Sequence, residues 1–324
     1  MVIVRVNNME RPTPGQLSAV LGLVKSATHV DGIGPLSEQA LLAARSGQPT
    51  SSESATSSAH LLAYVGAHLA GYAHLEQGMA GEAATAEVVV DPSSRRQGVG
   101  TSLIRALQEA TAPRADTLRL WSHGDLEEAR AFAQGAGYSA VRELWQMRRP
   151  LRSEVAALPT VLVPEGFRTR HFVIGQDEEA WLHVNATAFA HHLEQGRMTR
   201  HDLDRRIAEP WFDTCGFILI EDMRALVPVL AASHWTKVTA AEDPTTRPTQ
   251  GEVYVVAVDP AYQGMGLGRT VTVLGLAYLR QQGLTEAMLY VDADNRAAVA
   301  TYARLDFVRY GVDIMYARTV NTQV

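Results

Sequence analysis

The chain contains an internal repeat, which constrains its fold more than any other feature of the sequence. The thirteen residues that begin at Val88 match the thirteen that begin at Val256, with an Asp-Pro pair and two glycines at the same spacing. The two stretches are offset by 168 positions, and a later aromatic pair, Trp121 and Tyr290, is offset by 169. An offset that changes by only one position between the two matches indicates a duplicated domain. The length of 324 residues agrees with this, since it accommodates two domains of about 150 residues each.

Each copy shows the same order of periodic segments. Two helical segments come first, three strands follow, and a glycine-rich turn then leads into a helix, a short strand, another helix and a final strand. This order predicts an α/β fold with helices on both faces of a sheet. We expect a first domain over 1–150 and a second over 151–324, with a linker at about 151–166. The predicted helices include 14–28, 37–45, 101–112, 178–189, 199–207 and 269–281, and the predicted strands include 60–64, 70–76, 84–90, 117–122, 217–221, 227–236, 252–258 and 286–291.

The composition excludes several classes of function. The formal net charge is −6, whereas a nucleic-acid partner normally requires a basic face. The apolar runs fall far short of the roughly 20 residues of a membrane span, and no continuous apolar segment near the N-terminus suggests a signal peptide. Cys215 is the only cysteine, so an internal disulfide is excluded. We expect a cytoplasmic protein with no nucleic-acid partner, no membrane partner and no metal site, because the spacings of metal motifs are lacking.

Each copy places two glycines where a strand turns into a helix. Free backbone amides at a helix N-terminus attract an anion, and glycine lets phosphate oxygens approach the backbone. Glycines can also serve the turn alone. The recurrence of the pattern after Val-Asp-Pro in both copies favours the phosphate-binding interpretation.

The repeated stretch, Val-x-Val-Asp-Pro followed by Gln or Arg and Gly-x-Gly, resembles the acetyl-CoA-binding motif of the GNAT superfamily of N-acetyltransferases. The resemblance implies two tandem GNAT-like domains, each a mixed, mostly antiparallel sheet flanked by helices. It also implies acetyl-CoA as cosubstrate, held by the loop amides and the preceding strand. The implied contacts in the second copy are Val256, Ala257, Val258, Gln263, Gly264, Met265, Gly266, Leu267, Gly268 and Arg269, and their first-copy counterparts are Val88, Val89, Val90, Arg96, Gln97, Gly98, Val99, Gly100 and Thr101.

Two residues of the second copy are candidates for acid–base chemistry. Acetylation of an amine requires that the ammonium lose a proton and that the leaving thiolate be protonated or stabilised. Tyr302 matches a family tyrosine that faces the thioether sulfur, and we expect it to be the general acid, with a core tyrosine as the alternative. Glu252 begins the strand that leads to the loop, and we expect it to be the base, with an ordinary surface charge as the alternative.

The first copy lacks both candidates. Ala133 stands where Tyr302 would be, and Ala84 stands where Glu252 would be. We therefore expect the second copy to perform the chemistry. Three roles stay open for the first copy, namely binding acetyl-CoA without turnover, supporting the fold, or supplying one wall of the substrate site.

Several longer blocks are very similar to the mycothiol synthase family of tandem GNAT enzymes. They include Glu143–Leu151, Ala188–Gly196, His234–Val238 and Gly251–Val256, so the resemblance covers nearly the whole chain. It implies acetylation of the cysteinyl amine of cysteinyl-glucosaminyl-inositol, a small-molecule thiol-sugar, by a protein that we expect to be monomeric. The implied substrate contacts are Glu38, Glu194, Lys237, Glu252 and Tyr290, and the implied further cofactor contacts are Asn295, Arg296, Ala297, Ala298, Val299 and Ala300.

Two alternatives remain open from the sequence. One is a GNAT enzyme that acts on another small amine, such as an aminoglycoside or a peptide N-terminus. The other is a non-catalytic acyl-CoA sensor, which would require neither Tyr302 nor Glu252.

Overall fold

The computed structural model describes residues 2–45, 57–78, 82–152, 157–190, 195–239 and 249–320. The chain divides into two compact units. The first contains the described residues of 2–144 and 311–320, and the second contains those of 145–310. The last segment of the chain therefore groups with the first unit, whereas the domain boundary drawn from the sequence at residue 150 assigned that segment to the second domain.

The first unit opens with a strand, which the sequence analysis missed in predicting a helix as the first element. Val4–Met9 has an apolar residue at only some of the alternating positions, so its strand pattern is weak. The elements of this unit are β1 (Val4–Met9), α1 (Pro14–Asp31), α2 (Glu38–Arg45), β2 (Ser57–Val65), β3 (His68–Gln77), β4 (Ala84–Val90), α3 (Val99–Thr111), β5 (Thr117–Ser122), α4 (Glu127–Gly135) and the beginning of β6 (Ser139–Pro150).

The second unit repeats this order. It too has an opening strand that the sequence did not predict. After the end of β6, its elements are β7 (Phe167–His171), α5 (Glu178–Ala188), α6 (Arg200–Ile207), β8 (Phe217–Asp222), β9 (Val229–Lys237), β10 (Gln250–Val258), α7 (Leu267–Gln281), β11 (Glu286–Asp292), α8 (Arg296–Ala303) and the beginning of β12 (Val308–Thr319). Residues 311–319 of β12 belong to the first unit.

The sheet of each unit is mixed and mostly antiparallel, as predicted. The strand order is β1-β2-β3-β4-β5-β12 in the first unit and β6-β11-β10-β9-β8-β7 in the second. Strands β4 and β5 are parallel, and so are β10 and β11. The pairs β1–β2, β2–β3, β3–β4, β7–β8, β8–β9, β9–β10 and β5–β12 are antiparallel.

Helices cover both faces of each sheet because successive strand residues point in opposite directions. In the first unit, Leu61 belongs to the core cluster of α3, while its neighbour Leu62 belongs to the cluster of α1. In the second unit, Val253 joins the core under α7, while its neighbour Tyr254 packs against the cluster that contains Trp181 of α5.

Helix boundaries follow local capping signals. Thr13 accepts a hydrogen bond from the backbone amide of Gln16, whose side chain bonds back to Thr13, so a capping box begins α1. Thr199 and Asp202 form the same arrangement at the start of α6. In the described part of the chain, no helix is both long and apolar enough to cross a membrane.

Candidate active site

A β-bulge in β10 changes the direction of the side chains that follow Glu252, the candidate base. The register between β9 and β10 pairs Val253 with Thr236 and then Val255 with Trp235, so Tyr254 is the additional residue. As a result Tyr254 and Val255 both pack into the core under α5, although they are neighbours in sequence. Bulges of this kind are frequent next to active sites because they re-aim a side chain.

Strands β10 and β11 are paired only at their beginnings. Their parallel register runs from Gln250 and Glu286 to Glu252 and Met288, while β10 continues to Val258 and β11 to Asp292. Beyond Glu252, the edge of β10 that faces β11 has no partner strand in the described ladder. Backbone groups in such a gap can pair with an extended ligand.

The loop after β10 has the geometry of an anion cradle. Gly264 and Gly266 both have φ of +79°, a left-handed conformation that favours glycine. Gly266 is the N-cap of α7 and, since it has no side chain, it makes no capping hydrogen bond to the first amides of this helix. A Cβ atom added at either glycine would meet no other atom within 4 Å, so the backbone is open to a ligand. The loop therefore fits a pyrophosphate.

Three of the predicted substrate contacts share one face of the second unit's sheet. Lys237 of β9 is the direct partner of Glu252 of β10, and Glu252 is in turn the partner of Met288 of β11. Tyr290 lies two residues beyond Met288 and so points to the same face. The structure thus brings Lys237, Glu252 and Tyr290 together next to the gap between β10 and β11.

Aromatic side chains surround the ammonium of Lys237. Its Nζ lies 4.9 Å from the ring centroid of Trp211 and 5.1 Å from that of Tyr254, within the range of cation–π attraction. The hydroxyl of Tyr254 accepts a hydrogen bond of 2.7 Å from Nε of Arg206. The bulged residue Tyr254 is thereby fixed, and with it one wall around Lys237.

Tyr302 lies in α8 and is partly buried. Its ring contacts that of Phe307 edge-on, with centroids 5.7 Å apart, so it does contribute to the core. The residue keeps part of its surface accessible to solvent. Burial of the phenol nevertheless raises the pKa of Tyr302 to about 12, which keeps the hydroxyl protonated at neutral pH. A protonated phenol can donate a hydrogen bond to a developing thiolate.

Asn295 is the N-cap of α8. Its side-chain oxygen accepts a hydrogen bond of 3.1 Å from the backbone amide of Ala298, so it caps the helix. After the helix, Asp306 has φ of +61°, a left-handed conformation that favours glycine.

The glycine loop of the first unit, before α3, has a similar backbone conformation but different neighbouring side chains. Gly98 is the N-cap of α3 with φ of +87°, but Arg96 occupies the left-handed position that Gly264 has in the second unit. The ring of Phe132 lies against Gly100, with Cζ 3.2 Å from where a Cβ atom would be. The repeated loops therefore share their geometry but not the space around them.

The sequence analysis missed a buried cluster of charges in the first unit. Nδ1 of His123 is 2.9 Å from Oδ2 of Asp313, and its Nε2 is 3.5 Å from Oε2 of Glu87. Burial disfavours the imidazolium, but the hydrogen bonds and charges of the two carboxylates outweigh it and raise the pKa of His123 to about 10. Burial likewise disfavours the charged form of Glu87. The interactions with His123 and Ser37 outweigh the effect of burial and lower the pKa of the Glu87 carboxyl. No periodicity signals this cluster, because Asp313 comes from the far end of the chain.

The remaining predicted substrate contacts are Glu38 and Glu194. Glu38 is the first residue of α2 in the first unit. The residue before it, Ser37, is bound through its amide and hydroxyl to the carboxylate of Glu87, at 2.5 and 2.6 Å. Glu194 lies outside the described residues. Cys215, the lone cysteine, is exposed at the surface.

Comparison with known proteins identifies the family. The model of the acetyltransferase (GNAT) family matches residues 186–307, and that of an acetyltransferase (GNAT) domain matches residues 56–140. The mycothiol acetyltransferase of Thermomonospora curvata is 49% identical over 305 residues, which cover 94% of each chain. The mycothiol acetyltransferase of Catenulispora acidiphila is 45% identical over 320 residues, with 98% of this chain and 99% of the relative covered. The chain belongs to the mycothiol acetyltransferase family. The tandem GNAT organisation predicted from the repeat is confirmed.

Solved structures of more distant sequence share this fold. A tandem GNAT protein from the clavulanic acid biosynthesis pathway superposes with a TM-score of 0.74 at 18% identity and covers 98% of this chain and 99% of its own. A GCN5-related N-acetyltransferase from Sphaerobacter thermophilus has a TM-score of 0.66 at 20% identity, with 98% and 97% covered. Among the described residues, no group of three or more His, Cys, Asp or Glu side chains could hold a metal ion.

Proposed function

We propose that the second unit transfers the acetyl group of acetyl-CoA to the cysteinyl amine of cysteinyl-glucosaminyl-inositol, the last step in making mycothiol. The observation that carries this proposal is the common face of Lys237, Glu252 and Tyr290, next to the gap between β10 and β11. An acceptor amine held on this face would lie beside a thioester that enters through the gap. The family membership of the chain supports the same reaction.

Acetyl-CoA supplies an acetyl group activated as a thioester. Its pyrophosphate suits the open glycine loop, where the amides of Leu267, Gly268 and Arg269 begin α7. Backbone groups of Val256 and Val258 suit the amides of the pantetheine arm, as in strand pairing. The remaining proposed contacts are Ala257, Gln263, Gly264, Met265, Gly266 and the start of α8 from Asn295 to Ala300.

Glu252 is the proposed general base. The ammonium of the acceptor must lose a proton before its nitrogen can attack the thioester carbonyl. A carboxylate at the point where β10 and β11 separate can take that proton directly or through one water. The nitrogen–carbon bond then forms, and the carbon–sulfur bond breaks to release CoA.

Tyr302 is the proposed hydrogen-bond donor to the leaving sulfur. Complete proton transfer from a phenol with a pKa of about 12 to a thiolate, whose conjugate acid has a pKa of roughly 8.5, is uphill. The phenol therefore stabilises the developing thiolate by donation, and solvent supplies the final proton. This refines the general-acid role expected from the sequence.

Recognition of the acceptor is assigned to Lys237 and Tyr290, together with Glu38 and Glu194 as predicted from the family resemblance. The acceptor is rich in hydroxyl groups, which can both donate and accept hydrogen bonds. An ammonium, a phenol and carboxylates supply complementary partners. The first unit is assigned no chemistry, since Ala84 and Ala133 replace the base and the phenol.

An acceptor panel tests the proposal. The purified protein is supplied with acetyl-CoA and with cysteinyl-glucosaminyl-inositol, an aminoglycoside or a short peptide, and release of the CoA thiol is followed. Rapid release with the first acceptor, and little with the others, is expected. Thiol release only with another amine would rule out the assigned acceptor. Binding of acetyl-CoA with no thiol release for any acceptor would favour the non-catalytic acyl-CoA sensor.

A further inference from the structure

A hydrogen-bonded chain of side chains ends at the hydroxyl of Tyr290. Nε2 of Gln146, in β6, lies 3.1 Å from Oη of Tyr290. Oε1 of the same amide accepts a hydrogen bond of 3.2 Å from a guanidinium nitrogen of Arg148. All three residues belong to the second unit.

The chain has a defined direction. A guanidinium can only donate, so the amide of Gln146 must turn its oxygen toward Arg148. Its NH2 group then faces Tyr290 and donates to the phenol oxygen. The bond therefore holds the tyrosine by its oxygen and directs the phenol hydrogen to the side away from Gln146.

Arg148 is itself held on two sides. Its Nη1 lies 3.2 Å from Oε1 of Glu286, and the guanidinium carbon lies 3.4 Å from the ring centroid of Tyr310. Glu286 also accepts a hydrogen bond of 2.5 Å from Nε2 of Gln250, the first residue of β10. Arg148 is thus anchored to the strands that carry the site.

We propose that Gln146 is a positioning residue for Tyr290 in the acceptor site, and that Arg148 sets the orientation of Gln146. This inference rests on the proposed function. Tyr290 has 42% of its surface exposed, so a side-chain hydrogen bond can restrict its rotamers beyond what packing does. A fixed hydrogen bond lowers the entropy that the side chain loses when the acceptor binds. The Gln146-Met147-Arg148 segment, which lies in a block typical of the family, thereby acquires a role in acceptor affinity.

Gln146→Leu is the decisive variant. It removes the donor but keeps similar side-chain bulk. Since a neutral hydrogen bond contributes about 1 kcal/mol, the KM for the acceptor should rise about threefold to tenfold. The KM for acetyl-CoA and the thermal midpoint should stay at their wild-type values, because a general loss of structure would change both.

The chain offers a matched control. Nε2 of Gln108 donates a hydrogen bond of 3.2 Å to the hydroxyl of Tyr138 in the first unit. Gln108→Leu removes the same kind of bond away from the acceptor site. It should leave the KM for the acceptor unchanged.

A double variant separates positioning from direct contact. If Gln146 acts only through the hydroxyl of Tyr290, Gln146→Leu should add nothing to the KM effect of Tyr290→Phe. Additive effects would overturn the proposal, as would a Gln146→Leu enzyme with an unchanged KM for the acceptor. Arg148→Met should raise that KM in the same direction as Gln146→Leu, since it frees the amide to turn. Failure of the wild-type enzyme to acetylate the acceptor would instead refute the proposed function.

Discussion

Lys237 and Glu252 are direct partners across β9 and β10, so an ammonium and a carboxylate stand side by side on one face of the second unit's sheet. Directly opposed residues of an antiparallel pair have Cβ atoms about 5 Å apart. The two side chains can therefore reach one small ligand. The pair lies where β10 parts from β11, and this is the face that we propose for the acceptor.

Replacement of Lys237 tests recognition of the acceptor. Lys237→Met removes the cation that lies over Trp211 and Tyr254 but keeps an apolar stem of similar length. Because charged hydrogen bonds contribute about 1.5–3 kcal/mol, the KM for the acceptor should rise at least about tenfold. Steady-state kinetics at saturating acetyl-CoA measure this, and an unchanged KM would remove Lys237 from the site.

Tyr302→Phe tests stabilisation of the leaving sulfur. The substitution keeps the edge-on contact with Phe307, so folding and acetyl-CoA affinity should be preserved. Loss of the donated hydrogen bond should lower kcat by about 10- to 1000-fold, in the range found for donors that act on developing charge. Both kcat and the affinity for acetyl-CoA are measured. If the variant binds acetyl-CoA tightly and turns over at the wild-type rate, Tyr302 contributes only packing.

The buried cluster of the first unit predicts a loss of stability in alkali. The pKa of His123 is raised from 6.5 to about 10 in the folded protein, so its contribution to stability is fully present below pH 6.5. That contribution is lost as the pH rises through about 10. Thermal midpoints recorded between pH 7 and 11 should fall more steeply for the wild type than for His123→Gln. If the thermal midpoints of the two proteins fall in parallel with pH, the charge on His123 contributes nothing to stability.

Gly275→Ala tests the packing of α7 against β9. A Cβ atom at this position would overlap the ring of His234, whose Nδ1 lies 3.0 Å from the backbone oxygen of Val271. The ring is fully buried, so the neighbouring helix must move. The free energy of unfolding should fall by about 1–3 kcal/mol, as for other overpacked cores. Denaturant unfolding measures this change. Gly22→Ala, at a glycine inside α1 where an added Cβ atom would meet nothing within 4 Å, is the matched comparison and should not lower stability.

Much of the fold follows from patterns of neighbouring residues. The repeat predicted two similar domains, and the strands Ala84–Val90 and Thr117–Ser122 have the predicted bounds. The glycine loops were identified because φ values near +80° at Gly266 and Gly98 leave a readable sequence signal. The family resemblance implied Lys237 and Glu252 as substrate contacts but not that they are neighbours, which only the strand register shows.

Other features depend on contacts between residues far apart in the chain. The bulge at Tyr254 shifts the register of β10 without any Gly or Pro to mark it. Asp313 reaches His123 across 190 positions, and Gln146 reaches Tyr290 across 144. Periodicity carries no information on such pairs, because each residue alone resembles an ordinary strand or turn residue.

A thiol count with paired enzymes tests whether Glu252 drives acetylation of an amine. Transfer to nitrogen releases the CoA thiol and leaves the acceptor's own thiol intact, so one thiol appears for each acetyl-CoA consumed. Transfer to sulfur would give no net thiol. With cysteinyl-glucosaminyl-inositol, the wild type should produce one thiol per turnover, and Glu252→Gln should lower the rate by about 100-fold or more while acetyl-CoA still binds. A Glu252→Gln enzyme that works at the wild-type rate would rule out Glu252 as the base. A wild type that yields no net thiol would rule out transfer to the amine.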